Sequence, residues 1–289
     1  MKASIVIPAY NEEKAIENTL NTLIPYARKN DWQIIVIDDG STDNTLELIR
    51  KFDEIVCINH KKNKGYGAAL KTGIINSKSD IIVTYDADGQ HNPEDIKKLL
   101  SNFGDKDMLV GKRGADSHKE WIRKPGKWLL TFVANILTDE KIPDLNSGLR
   151  VIRKKIIVKL FPLLSDTFSF STTSTISMIN MGYKVEYYPI KTNKRIGKST
   201  VKQMKHGSET ILLILRLITT FNPLKIFLPI SLYMFIIGLL YEIVYGIILI
   251  PGVKLISAAF LFIISSILIF LFGLIADQIS SIRKSMIIK

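Results

Sequence analysis

The chain has 289 residues, a net charge of +12 and a single cysteine. That length suffices for one large α/β domain plus something smaller, and the lone Cys57 excludes an intramolecular disulfide, which fits a reducing compartment and a buried structural thiol. The basic balance alone fits nucleic acid, an anionic membrane surface or a phosphorylated substrate. No aromatic-basic RNA-binding signature or DNA-reading helix stands out, so nucleic acid is set aside, and the almost wholly apolar stretch 226–275 favours the other two.

Residues 1–8 lack the basic-then-apolar layout of a cleaved signal, because Ile5-Val6-Ile7 is short and runs into Pro8, so the N-terminus is expected to stay in the cytoplasm. Short runs rich in β-branched residues then alternate with helical patterns. Strands are predicted at 4–8, 33–37, 55–59 and 81–85, and helices over 13–28, from Asp43, after Gly65 and after Pro93. Such a βαβ series gives a mostly parallel sheet covered by helices on both faces, with ligand chemistry outside the carboxyl ends of the strands. The polar clusters Pro8-Ala9-Tyr10-Asn11-Glu12, Asp38-Asp39-Gly40-Ser41 and Asp86-Ala87-Asp88-Gly89-Gln90-His91 fall at those ends. A second region, 109–189, with strands at 108–110 and 184–188 and a helix over 121–137, is expected to complete the sheet and form the acceptor side.

Two apolar segments follow, 226–250 and 253–275, each long enough to cross a hydrocarbon core as a helix, with Pro251-Gly252 turning the chain between them. Lys202, Lys205, Arg216 and Lys225 precede the first and Arg283, Lys284 and Lys289 follow the second, while the turn offers only Lys254, so both flanks are expected on the cytoplasmic side. The stretch 203–221, apolar with scattered charge, reads as a helix lying in the membrane interface or as a helix buried in a bundle. The expected division is a catalytic domain over 1–200, an interfacial region over 201–225, and a two-helix hairpin with a short basic tail over 226–289.

Asp86 and Asp88 stand two apart on an irregular turn after the fourth strand, so they can aim at one ligand, with Gln90 adding a carbonyl oxygen. Mg²⁺ or Mn²⁺ takes such oxygen sites. A calcium loop needs further acidic ligands and a terminal Glu, which Gln90-His91-Asn92-Pro93 does not supply. Gly65-Tyr66-Gly67 lacks the third glycine of a dinucleotide turn.

Taken together, Val6-Ile7-Pro8-Ala9-Tyr10-Asn11-Glu12, Val36-Ile37-Asp38-Asp39-Gly40-Ser41-Thr42-Asp43, Asn63-Lys64-Gly65-Tyr66-Gly67-Ala68-Ala69, the Asp86 segment, Gly111-Lys112-Arg113, Asp144-Leu145-Asn146-Ser147-Gly148-Leu149-Arg150 and Arg195-Ile196-Gly197-Lys198-Ser199 resemble the family 2 glycosyltransferases. Within that family the likeness is to the dolichyl- or polyprenyl-phosphate sugar transferases. The resemblance implies a glycosyltransferase A-type fold and a UDP- or GDP-hexose donor. Pro8, Ala9, Tyr10 and Glu12 would surround the nucleotide, and Asp39 would accept hydrogen bonds from the base. Asp86 would lie near ribose and metal, Asp88 and Gln90 would hold the metal, and Arg113 would approach the diphosphate or acceptor.

Where many relatives acting on a hydroxyl carry an acidic base, this chain reads Phe168-Ser169-Phe170-Ser171-Thr172-Thr173 without a carboxylate. A hydroxyl must lose a proton as it attacks, whereas a lipid phosphate, with a second pKa of about 6, is largely ionised already. The sequence therefore points to inverting transfer of one hexose to a polyprenyl phosphate, with Arg195 and Lys198 gripping that phosphate at the membrane surface. The processive pattern Gln-x-x-Arg-Trp is absent. Transfer to a lipid or glycan hydroxyl, with Asp144 or Asp166 as base, is the other enzymatic reading, and a catalytically silent membrane scaffold is a third.

Overall fold

The computed structural model describes residues 1–114, 124–196, 207–244 and 257–288. Its sheet comprises β1 (Ser4–Ala9), β2 (Gln33–Asp38), β3 (Val56–Asn59), β4 (Ile81–Thr84), β5 (Met108–Arg113), β6 (Arg150–Arg153) and β7 (Val185–Ile190), in the spatial order β3-β2-β1-β4-β6-β5-β7. β6 runs antiparallel to both its neighbours and every other pairing is parallel. The expected mostly parallel sheet is therefore present.

Central β1 is buried along its whole length, as a strand covered on both faces must be, and so reads as a continuous apolar run. The register sets Ala9 beside Asp38 and Val6 beside Thr84, which brings the polar segments after β1, β2 and β4 to one edge of the sheet. β3 lies at one edge of the sheet, and its Cys57 is only half-buried, a departure from the buried thiol expected.

Helices α1 (Ile16–Asn30), α2 (Thr45–Ile49), α3 (Tyr66–Ile75), α4 (Pro93–Ser101), α5 (Lys124–Thr138), α6 (Lys154–Leu160) and α7 (Phe170–Asn180) accompany the strands. α1 buries Ile16, Leu20, Leu23 and Ala27, the three-and-four spacing of one helix face. α4 starts where sequence rules place it: the Asn92 side chain accepts the Glu94 amide at 3.0 Å, and Pro93 occupies the first turn, where its missing N–H costs nothing. β6, α6 and α7 were not anticipated. The helix predicted over 121–137 is observed from Lys124 to Thr138, and 121–123 lie outside the described residues.

The chain divides into two compact units, Met1–Thr210 and Ile211–Lys289. In the second, α8 (Gly207–Phe221) leads into α9 (Leu224–Tyr241) and α10 (Ser257–Ile288). Leu224–Val244 and Ala258–Ile287 are long and apolar enough to cross a membrane. The anticipated end of the second segment at 275 is corrected: no proline or glycine follows Gly273, and the helix continues through the basic tail to Ile288. That extension has a use. Ser280 Oγ donates to the Thr220 carbonyl at 2.7 Å and Lys284 Nζ to that of Phe221 at 2.5 Å, satisfying carbonyls left over at the end of α8. α8 accordingly buries Ile214, Leu217, Ile218 and Phe221 while Leu212 and Leu215 remain exposed. The turn Pro251-Gly252 and Lys202, Lys205 and Lys254 lie outside the described residues.

Candidate active site

The loops after β1 and β2 are sewn together. Asn11 takes a left-handed φ of 53° and its amide donates to Ser41 Oγ at 3.0 Å, the Glu12 amide donates to Thr45 Oγ1 at 2.8 Å, and the Thr42 amide returns a bond to Asn11 Oδ1 at 2.8 Å. Pro8 and Ala9 are buried in β1, and Tyr10 and Glu12 are half-buried at the rim. Backbone direction here is thus fixed before any ligand arrives.

Asp39 is buried and already engaged. Its Oδ1 accepts the Lys64 amide at 3.0 Å and lies 2.7 Å from His60 Nδ1, while Oδ2 accepts the Gly65 amide at 2.8 Å. It therefore anchors the loop that leads into α3, and the base contact anticipated for it has only leftover lone pairs to use. Neighbouring Asp38, not singled out in the sequence, keeps a buried Oδ1 with no partner among the described residues.

Asp86 and Asp88 sit on the turn after β4 in different surroundings. Asp86 Oδ1 accepts the Tyr66 hydroxyl at 2.9 Å, and Oδ2 lies 3.3 Å from His91 Nε2. Burial works against its charge, but the bonds from His91 and Tyr66 and the positive field of Arg113 prevail and hold the carboxyl below the usual range. Asp88 goes the other way: burial first, then the charge of Asp86, push it up against the Gln90 amide at 3.1 Å and Arg195. Gly89, directly after Asp88, has φ +74°, and a β-carbon there would lie 2.9 Å from Ile196 Cδ1. Glycine adopts this left-handed turn without strain, and its missing side chain leaves room for Ile196.

The segment 191–196 is bonded to the turn by its backbone, Asn193 N to the Gln90 carbonyl at 2.8 Å and Ile196 N to that of Asp88 at 3.1 Å. Arg195 thereby reaches inward, donating from Nη2 to Glu12 Oε1 and placing Nη1 3.4 Å from Asp88 Oδ2. The sequence offered no sign of this pairing across the chain. Burial raises the Glu12 carboxyl to about 7, with Asp88 and Asp86 adding to the shift and Arg195 opposing it. Lys198 lies outside the described residues.

On the far side, Arg113 makes a two-pronged bond to Asp144, Nε to Oδ2 and Nη2 to Oδ1, each 2.8 Å. Asp144 is mostly buried, yet the fork of Arg113 outweighs burial and keeps its carboxyl below the usual range. An acid held ionised in an ion pair is a poor proton acceptor at neutral pH. Asp166, the other base considered, is exposed and paired with Lys71 Nζ at 2.6 Å.

The loop carrying Asp144 is held by Arg150, a fully buried cation whose contacts are neutral. Its Nε donates to the Ser147 carbonyl at 2.8 Å, Nη2 to that of Leu145 at 2.9 Å, and Nη1 to Thr175 Oγ1 at 2.8 Å and Ser174 Oγ at 3.1 Å. The same loop presses Gly148 so closely on Asp86 that a β-carbon would lie 2.0 Å from Oδ2. Tyr66, His91, Gly148 and Arg150 are thus site residues that pattern reading missed. All four belong to the quoted segments, but their roles depend on contacts that the pattern does not display.

Among the described residues no group of three or more His, Cys, Asp or Glu side chains is arranged to hold a metal ion by itself. Asp86 and Asp88 nonetheless offer two carboxylates on one turn, with burial and then the charge of Asp86 opposing ionisation of Asp88, and Mg²⁺ is commonly held by one or two carboxylates together with substrate phosphates. Hard oxygen donors with excess negative charge suit Mg²⁺ or Mn²⁺.

A family model of glycosyl transferase family 2 matches residues 4–161, and one of a GtrB C-terminal hairpin matches residues 222–282. An uncharacterised protein of Methanocaldococcus jannaschii is 37% identical over 198 residues, spanning 65% of this chain and 80% of its own. The UDP-N-acetylglucosamine–dolichyl-phosphate N-acetylglucosaminyltransferase of Methanococcus voltae is 35% identical over 176 residues, covering 52% of this chain and 68% of that one. The dodecaprenyl-phosphate galacturonate synthase of Rhizobium johnstonii is 30% identical over 168 residues, covering 54% of this chain and about half, 49%, of that relative. Among solved structures, glucosyl-3-phosphoglycerate synthase from Mycobacterium tuberculosis, in complex with Mn²⁺, uridine diphosphate and glucosyl-3-phosphoglycerate, superposes with a TM-score of 0.58 at 17% identity, over 75% of this chain and 79% of that one. At that identity the likeness establishes the fold, the glycosyltransferase A-type.

Proposed function

Since the chain belongs to glycosyl transferase family 2 and is a glycosyltransferase, we propose that it transfers one hexose, with inversion, from a UDP- or GDP-sugar to a polyprenyl phosphate at the cytoplasmic membrane face. The observation that carries the acceptor choice is the state of the two candidate bases: Asp144 is clamped by Arg113, and Asp166 is an exposed partner of Lys71. No carboxylate of α7 takes their place. A phosphate monoester has already lost the proton that a hydroxyl would need help to lose. The names of the Methanococcus and Rhizobium relatives support the same acceptor class.

In this reading the loops after β1 and β2 hold the nucleotide, and Asp86, Asp88 and Gln90 hold Mg²⁺ or Mn²⁺. The metal supplies positive charge to the diphosphate as it leaves. An oxygen of the lipid phosphate attacks the anomeric carbon, the bond from that carbon to the nucleotide's phosphate oxygen breaks, and the nucleoside diphosphate carries away the electron pair. Asp86, held ionised by Tyr66 and His91, stays an anion throughout and keeps its orientation. Helices α9 and α10 anchor the enzyme in the bilayer, and the exposed leucines of α8 lie in its surface.

The test is lipid-linked product formation in membranes supplied with labelled UDP- and GDP-hexoses and a polyprenyl phosphate. Asp88→Ala is expected to abolish transfer while the protein still folds. Normal transfer by that variant removes the metal role, and glycosylation of hydroxyl lipids alone removes the phosphate acceptor.

A further inference from the structure

The cleft contains a cation of its own. Arg195 bridges Glu12 and Asp88, acids that arrive from the ends of β1 and β4, and its side chain is largely buried with an Nε that has no partner among the described residues. Its backbone neighbours are fixed on the turn below by the bonds from Asn193 and Ile196, so the guanidinium is delivered there by the fold. A fully solvated arginine gains little from such contacts, but in a partly buried cleft an unpaired Asp88 beside Asp86 would be costly.

A divalent metal needs the same Asp88 oxygens. A guanidinium and a divalent metal cannot both sit on one carboxylate without strong repulsion. We propose that Arg195 is the resident cation of the nucleotide-free site, bound to Asp88 until metal and nucleoside diphosphate arrive together, when the metal displaces it from Asp88 and Glu12 keeps it at the cleft wall. Metal alone then binds weakly, because it must evict the guanidinium without compensation. Metal with a nucleoside diphosphate binds well, because the diphosphate brings the negative charge that lets both cations remain. This rests on the metal-dependent reading above and adds to it a residue that makes loading cooperative.

The test measures Mn²⁺ binding, not turnover, through the electron paramagnetic resonance signal of free Mn²⁺ with the full chain in detergent near pH 8. Without nucleotide, Arg195→Gln is expected to bind Mn²⁺ at least tenfold more tightly than the wild type. Adding guanidinium chloride at tens of millimolar should weaken binding by the variant and leave the wild type unchanged. Arg195→Lys, whose single ammonium is too compact to bridge both acids, should fall between the two, and it preserves a measurement should the glutamine variant fail to fold. Unchanged or weaker Mn²⁺ binding by folded variants overturns the proposal. Absence of Mn²⁺ binding by the wild type even with UDP or GDP present overturns the metal-dependent reading as well, so the two failures are told apart.

Discussion

Gly148→Ala places a methyl group where the structure has none to spare. The new carbon would lie 2.0 Å from Asp86 Oδ2, 2.5 Å from Cγ and 2.6 Å from Oδ1, which leaves it about 1.4 Å short of ordinary contact. The loop cannot withdraw, because the Thr84 hydroxyl donates to the Gly148 carbonyl at 2.5 Å and Arg150 holds the adjacent Ser147 carbonyl at 2.8 Å. Asp86 must therefore move by more than about 1 Å, enough to break its bonds to Tyr66 and His91. A carboxylate a quarter exposed can find water instead, so the stability cost falls near the low end for a broken hydrogen bond, about 1–2 kcal/mol. In a domain of this size that lowers the melting temperature by about 2–8 °C. The effect on chemistry is larger, since misplacement by about 1 Å typically costs about a hundredfold in rate. Transfer of labelled sugar by purified variant and wild type, with a thermal melt of each, reads both numbers. A folded variant within threefold of the wild type would refute the view that Gly148 fixes the aim of Asp86.

Asp144→Asn leaves the guanidinium of Arg113 half-buried without its anion and should cost about 2–3 kcal/mol at neutral pH. Because Asp144 is held below the usual carboxylate range, its contribution is complete above that range and disappears as pH falls through the lowered value, so thermal melts of the variant should lack the wild type's loss of stability at the acid end. Glu12 carries the opposite sign: its folded pKa is raised from 4.5 to about 7, so stability is greatest below 4.5 and declines as pH climbs to 7. Glu12→Gln should abolish that decline, which is on the order of 3 kcal/mol. In the hairpin, a β-carbon at Gly273 would lie 2.7 Å from Phe227 Cβ. Gly273→Leu should thus cost about 1–3 kcal/mol in a melt of the detergent-solubilised chain.

Elements whose signal is local could be read from the sequence. β1, β2 and β4 announce themselves as apolar runs closed by polar residues, and α4 by its Asn-Pro start. β6 did not, because it is four residues long with arginine at each end, and one of those arginines, Arg150, is fully buried. Burial of Arg150 depends on hydroxyls from α7, and α7 was itself invisible: Ser171-Thr172-Thr173-Ser174-Thr175 favours turns over helix when taken alone. Packing overrides that preference, and every one of those residues is buried. At the site, the position of Asp86 and Asp88 after a strand was legible, whereas the Tyr66 hydroxyl on Asp86 and Arg195 on Glu12 join residues 20 and 183 apart in sequence.

The arrangement around Arg150 bears on the proposed choice of an ionised acceptor. A fully buried guanidinium would be expected to sit on a carboxylate, yet here burial lowers its pKa and its hydrogen bonds go to carbonyls and hydroxyls. Of the carboxylates within its field, Asp144 is committed to Arg113 and Asp86 to Tyr66 and His91. Arg113 and Arg150 thus both act on Asp144 and Asp86, and both of those carboxylates are already engaged by other side chains. The acceptor proposed above, which arrives already ionised, needs no acid to take its proton. The lack of a carboxylate in α7 and the clamped state of Asp144 both support the proposed phosphate acceptor.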